Sequence, residues 1–233
     1  KKKFYYLDNK LAISIASLIL LFFSYFLIPV FYKDDLIKTS LTNQIFEKYD
    51  INIEFNEKVK YGLFPKPFFY TKNLDIKYDD KVLANSGYVK FYISFNNFFL
   101  SENISSKNII FQDTEFDINS NNINFFLKAL NSSEKEDRLI FKGSKFFYKD
   151  QDDDLLFLSK IKNFSFFYDE VNNFQKVKSN FEVFNIPFKL DITKNLVNKK
   201  KNIKLTSKKI RLDIETSIEY EKDKVIGFFD IAS

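Results

Sequence analysis

Three regimes of hydrophobic and polar positions follow one another along the chain. From Leu11 to Tyr32 the sequence reads LAISIASLILLFFSYFLIPVFY, with no charge between Lys10 and Lys33. About 22 residues at about 1.5 Å rise each give roughly 33 Å of helix, enough to cross a hydrocarbon core of about 30 Å. The stretch is longer than a signal-peptide core, and it ends in bulky Pro29, Val30, Phe31 and Tyr32 rather than a small-residue cleavage site, which favours an uncleaved single-span anchor. From Asp35 to Lys48, Leu36, Ile37, Leu41, Ile45 and Phe46 recur at helical spacing and predict an amphipathic helix.

Beyond this helix the period becomes two. Ile51/Ile53/Phe55, Leu74/Ile76/Tyr78, Val89/Phe91/Ile93/Phe95 and Phe164/Phe166 alternate with polar residues. The later rows are the most regular: Ile186/Phe188/Leu190/Ile192, Ile203/Leu205 and Ile210/Leu212/Ile214, continuing to Ile218/Tyr220. Opposite the last row stand Arg211, Asp213, Glu215, Ser217 and Glu219, so one face is apolar and the other charged. Turn-forming clusters separate the runs, at Asp79–Lys81, Asn119–Asn122, Asn131–Asp137, Lys149–Asp154, Asn172–Asn173, Asn198–Asn202 and Glu221–Lys224. They predict a mainly β body built as a long antiparallel meander, with one further short helix at Asn122–Leu130.

This reading divides the chain into a cytoplasmic stub (1–10), a transmembrane helix (11–32), an amphipathic linker helix (33–48) and a translocated β domain (49–233). Lys1, Lys2, Lys3 and Lys10 precede the span against a single Asp8, which predicts a cytoplasmic N-terminus and a translocated body. Tyr5, Tyr6 and Tyr32 would sit at the two interfaces. The absence of Met and the alternating pattern still running at Val225–Ser233 lead us to expect a fragment of a longer protein, cut at both ends.

Composition narrows the chemistry. The chain has no Cys, His, Met or Trp, so disulfides, thiolate sites, Cys nucleophiles and imidazole bases or ligands are excluded. Its 36 Lys+Arg against 31 Asp+Glu leave a formal charge of +5, but the lysines interleave with acids along strands, and nucleic acid is not an expected partner. Asp150-Gln151-Asp152-Asp153-Asp154 begins like a calcium loop, yet Leu155 stands where Gly is needed and Ile161 where Glu is needed. Ser144 and Lys145 are adjacent on a strand and should point to opposite faces. Asn131-Ser132-Ser133 and Asn163-Phe164-Ser165 match a glycosylation sequon by chance in an Asn-rich chain, and Lys199–Lys201 reads as a solvated loop. No enzyme activity, cofactor or metal is expected.

What covers the apolar face then becomes the central question. The expected helices are too short, which leaves a second sheet, a closed barrel, or an open, groove-like curved sheet that holds a ligand such as acyl chains. The residues that would line such a groove are Phe188, Leu190, Ile192, Leu205, Ile210, Leu212 and Ile214, whose strands are polar on the other side.

One segment resembles a known family. After the anchor and helix come Gly62-Leu63-Phe64-Pro65-Lys66-Pro67-Phe68, then Asn73-Leu74-Asp75-Ile76, Val82-Leu83-Ala84, a strand to Phe95, Phe98-Phe99-Leu100, and Ile104 to Phe111. This order is similar to the N-terminal region of the AsmA family, with Phe64, Pro65 and Pro67 forming its turn. Weaker likeness extends through Phe141–Phe146, Phe184–Phe188 and Val225–Phe228, while Tyr49-Asp50 departs from the family's usual Thr-Gly. The prolines alone bar the turn from a central strand, since each fixes φ and lacks a donor. The resemblance implies a single-pass bacterial inner-membrane protein whose periplasmic body (49–233) is related to bridge-like lipid-transfer proteins, shielding acyl chains for phospholipid transport toward the outer membrane. Membrane phospholipid and envelope proteins would be its partners. The alternatives are a membrane-anchored β-sandwich scaffold or a component of the lipopolysaccharide-export type.

Overall fold

The computed structural model describes residues 9–78, 81–94, 104–125, 138–150, 152–169, 171–221 and 224–232. Lys1–Lys3, Tyr5, Tyr6, Phe98–Leu100 and the sequon at Asn131 lie outside them. Helix α1 (Asn9–Leu27) runs into a 3-10 turn at Ile28–Phe31, where Pro29 is buried. The segment Lys10–Phe31 is long and apolar enough to cross a membrane; its apolar 18-residue window has a mean hydropathy of 2.5 and is not buried in the protein. Helix α2 (Asp34–Tyr49) follows; Asp34 and Asp35 occupy its first turn, where negative charge is favoured. It ends on Asp50 at φ 55°, left-handed backbone that normally selects glycine.

Twelve strands form one open, curved sheet: β1 (Asn52–Phe55), β2 (Lys60–Gly62), β3 (Phe68–Tyr78), β4 (Lys81–Ile93), β5 (Ser106–Asn119), β6 (Arg138–Lys149), β7 (Leu155–Asp169), β8 (Phe174–Val183), β9 (Ile186–Asn195), β10 (Lys201–Ser207), β11 (Leu212–Glu221) and β12 (Lys224–Ala232). The mainly β, open-sheet expectation therefore holds, and no second sheet faces this one among the described residues. β1 and β2 do not pair with each other but lie end to end along β3. The expected meander is broken once: β5 and β6 are parallel. A parallel pair needs a crossover to return the chain to the starting end, and the segment between Asn119 and Arg138 is long enough to supply it. Of the helix expected at Asn122–Leu130, residues 123–125 are helical and the remainder lies outside the described residues.

α2 covers one face of the sheet. Ile37, Leu41, Ile45 and Tyr49, four residues apart, are all buried and pack into a core with Leu74, Ile76, Val89, Phe91 and Ile109. Its neighbouring stripe anchors the start of β5. Gln44 accepts from the Ser106 amide at 3.0 Å and donates to the Ser106 carbonyl at 2.8 Å, while Ser40 Oγ accepts from the Ile104 amide at 3.2 Å.

A line of irregular residues crosses five strands. Asn73, Gly87, Asp113, Gly143 and Lys162 stand opposite one another in successive strands, as the flanking register pairs show. Asn73, Asp113 and Gly143 have positive φ (50°, 53° and 62°), and β7 carries a register shift at Lys162. Each irregularity inverts the alternation, so residues an odd number of places apart share a face. On β5, Ile109/Phe111 and Phe116/Ile118 all face α2's side; on β6, Leu139/Phe141 and Phe146/Tyr148 repeat the spacing. Beside the line lies a buried row of hydroxyls. Ser86 Oγ and Thr114 Oγ1 are 3.0 Å apart, and Ser144 Oγ accepts from the Thr114 amide at 3.3 Å.

Candidate functional site

The face that α2 covers over β3–β5 continues across β8–β12 without cover. Register fixes its membership: Phe181 pairs with Phe188, Leu190 with Leu205, Leu205 with Ile214, Ile192 with Ile203, and Ser207 with Leu212. Six of the seven residues expected to line a groove therefore share one face: Phe188, Leu190, Ile192, Leu205, Leu212 and Ile214. The seventh does not. Ile210 lies in the turn between β10 and β11, 46% exposed and beside Arg211 at φ 52°, so its even spacing from Leu212 does not carry the strand pattern back.

Burial marks where the cover ends. Phe69, Leu74, Val89 and Phe91 are wholly enclosed, and Phe166 is the last buried hydrophobic residue; beyond it none of the described hydrophobic residues is buried. Phe188 and its neighbours are partly exposed, and on β12 Phe229 is 66% and Ile231 57% exposed. Phe181 and Phe188 stack with centroids 5.5 Å apart, forming a flat aromatic floor. Phe181, Phe229 and Ile231 belong to this face but were not among the residues singled out from the sequence. Pairing the alternation of each strand with its neighbours would have identified them.

The reverse face is charged and internally neutralised. Lys204 pairs with both Glu215 and Asp213, Lys178 lies 3.6 Å from Asp191, and Lys200 lies 2.7 Å from Glu219. A hydrogen bond with Glu215 raises the Lys204 pKa, and one from Lys162 lowers that of Glu182. A shallow hollow of about 640 Å³ lies on this side, lined by Asp191, Lys204, Glu215, Ser217, Phe228 and Asp230. Of the charged residues here, Lys204 is paired with Glu215 and Asp213, Lys200 with Glu219 and Asp191 with Lys178. Exposed pairs of this kind stabilise little and keep the face wet.

The other sequence candidates are occupied structurally. The Asp150 carboxylate accepts from the amides of Asp152 and Asp154, both at 2.9 Å, and so closes its own turn. Ser144 is buried in the hydroxyl row, whereas Lys145 reaches Glu115 at 2.8 Å on the other face. Among the described residues no three acidic side chains gather where a metal could bind.

The sheet meets the end of the apolar helix directly. Tyr61 Oη donates to the Phe26 carbonyl at 2.7 Å, and Pro29 and Tyr32 lie against Phe69, Ile93 and Ile104 at the strand ends. Burial, with Tyr32 nearby, pushes the Tyr61 pKa up to about 12. The prolines of the Phe64–Pro67 turn lie in the loop between β2 and β3, outside any strand, and the Pro67 carbonyl accepts from the Ile93 amide at 3.2 Å.

No protein-family profile matches the chain, and no curated protein sequence matches it.

Proposed function

We propose that the chain is a membrane-anchored lipid-handling protein of the bacterial envelope, whose open apolar face on β8–β11 shields acyl chains while head groups stay in water. The observation that carries this reading is the loss of cover along one continuous face. The alternation persists for five strands past the last buried hydrophobic residue. A contiguous apolar surface of that kind, backed by a charged reverse side, fits a ligand or partner surface better than solvent. The mechanism is burial rather than covalent chemistry. A chain laid on one side of the sheet gains about half of the ~0.8 kcal/mol per fully buried CH2, so about ten such groups contribute on the order of 4 kcal/mol. That is enough to hold a lipid and small enough to release it.

Lys1–Lys3 and Lys10 favour a cytoplasmic N-terminus. The inner membrane as the anchor's site is what the resemblance of the Phe64–Pro67 turn and its flanking segments to the AsmA family implies.

The test is site-specific photo-crosslinking in cells with benzoylphenylalanine at Leu205 or at Lys204, adjacent residues on opposite faces. A phospholipid adduct at Leu205 and none at Lys204 is expected. Adducts of equal yield, or none at either position, would remove the acyl-chain assignment.

A further inference from the structure

We infer that the loop between β2 and β3, residues 63–67, is a second membrane contact: Phe64 dips into the lipid interface beside the anchor, and the surrounding lysines face anionic head groups. The inference rests on α1 spanning the bilayer and is independent of what the open sheet face carries.

The tether sets the depth. Tyr61 is bonded to the carbonyl of Phe26, five residues before the last residue of the span, Phe31. At about 1.5–2 Å per residue that point lies about 8 Å inside the end of the span. The span of about 33 Å exceeds a hydrocarbon core of about 30 Å only slightly, so the Tyr61 hydroxyl lies a few ångströms below the hydrocarbon boundary, next to the interface where tyrosine is favoured. β2 ends at Gly62, one residue later, and leads directly into the loop.

The loop is shaped to present its tip. Pro67 is buried and bonded to Ile93 through its carbonyl, and Phe68 is buried, so the return strand is fixed. Phe64 is nevertheless 76% exposed, and Pro65 and Lys66 are exposed with it. A large aromatic side chain left in water on a short, doubly anchored loop has no partner within the sheet. Around the same neck, Val30 is 54% and Phe31 84% exposed, which extends the apolar patch from the loop to the anchor. Lys33, Lys58, Lys60 and Lys66 are all exposed at this end. The acids nearby are fewer: Asp34 is engaged by the Val59 amide at 2.7 Å and by Lys38 at 3.0 Å, Glu57 accepts from the Asn73 side chain at 2.8 Å, and Asp35 is exposed. An aromatic tip ringed by an excess of lysine matches an anionic lipid surface.

The chain has no Trp, so each substitution supplies a single reporter. The full chain is reconstituted in vesicles of phosphatidylcholine and phosphatidylglycerol, with or without bromine on the phosphatidylcholine acyl chains. Phe64→Trp should show blue-shifted emission and lose much of its intensity to brominated lipid, as should Phe22→Trp within the span. Val82→Trp should keep its emission, because it lies at the other end of the β3–β4 hairpin, about 36 Å from Ile93 at about 3.3 Å per residue. Lys66→Trp, at the exposed tip, repeats the measurement if Phe64→Trp folds poorly. Quenching of Phe22→Trp with both loop variants as bright as Val82→Trp would overturn the loop contact alone. Loss of quenching in Phe22→Trp would overturn the span and the loop contact together.

Discussion

Leu205→Asp and Leu74→Asp are the same substitution on the same face of one sheet, and the structure requires their costs to differ severalfold. Leu74 is 0% exposed in the core beneath α2, whereas Leu205 is partly exposed between Leu190 and Ile214. Removing a buried leucine costs about 2–5 kcal/mol, and enclosing a carboxylate there adds several more. Against a total stability of about 5–15 kcal/mol, Leu74→Asp should abolish folding. At Leu205 the side chain already shares its surface with water. Full burial of a leucine is worth about 1.5–3 kcal/mol, so losing a partial share costs about 1 kcal/mol, and the new carboxylate can remain hydrated.

In thermal unfolding of the full chain followed by circular dichroism, Leu205→Asp should lower Tm by about 2–4 °C, the shift expected per kcal/mol at this size. If the open face carries acyl chains as proposed, phospholipid should copurify with the native chain and be mostly lost from this variant. A drop as severe as that of Leu74→Asp would refute the reasoning, because it would mean that protein encloses β10 and the face is not open.

Three further outcomes follow from local geometry. Asp50→Gly should stabilise by about 0.5–1 kcal/mol in denaturant melts, since it removes a side chain from left-handed backbone at the α2 C-terminus, and a loss of stability would contradict that origin. Gly143→Ala places a side chain at φ 62° with its Cβ 2.8 Å from Asp113 Oδ1 and should cost about 1–2 kcal/mol, whereas Gly227→Ala, with nothing within 4 Å, should stay within about 0.5 kcal/mol. Hydrogen bonds from Asn172, first from its side chain and then from its amide, hold the Asp169 carboxyl below its ordinary 3.8. Their stabilisation is complete above that pH and is lost as pH falls through the lower folded value. Asn172→Ala removes the side-chain bond and keeps the amide, so it should move the Asp169 midpoint part of the way up toward 3.8 in an NMR titration, and an unmoved midpoint would show that the side-chain bond does not set it.

Much of the fold was legible because hydrophobic period maps onto backbone geometry. The span, α2 and the regular rows of β9–β11 are each continuous in one period, and the structure places them accordingly. What single-strand reading missed lies where the period is interrupted. The line through Asn73, Asp113 and Gly143 inverts alternation, so Phe111 and Phe116 share a face although five residues apart. The same five-residue step between Phe141 and Phe146 was visible in the sequence, but its meaning depends on β5 and β6 being neighbours. Ile210 failed for the opposite reason: the spacing was right, but Arg211 had already left the strand conformation. The parallel pairing of β5 and β6 is set by a connection whose path the alternation does not encode.

Uneven cover also makes stability uneven. The described buried hydrophobic residues lie between Ile37 and Phe166, so β3–β5 carry the core while β8–β12 are held by ladder hydrogen bonds and partly wet side chains. Segments with few buried apolar contacts open locally at lower free energy than the core. Amide exchange of the full chain should therefore be slow in β3–β5 and fast from β8 onward. A lipid on the open face restores the missing apolar contacts, so loading should slow exchange in β8–β11 and leave β3–β5 unchanged. Protection that is uniform across the sheet without lipid would mean that β8–β12 are covered as fully as the core. Protection that is graded but insensitive to lipid would leave the open face in place and remove acyl chains as its occupant. The two halves of the sheet thus differ in what holds them: β3–β5 are enclosed beneath α2 beside the apolar helix, whereas β8–β12 leave the same face open.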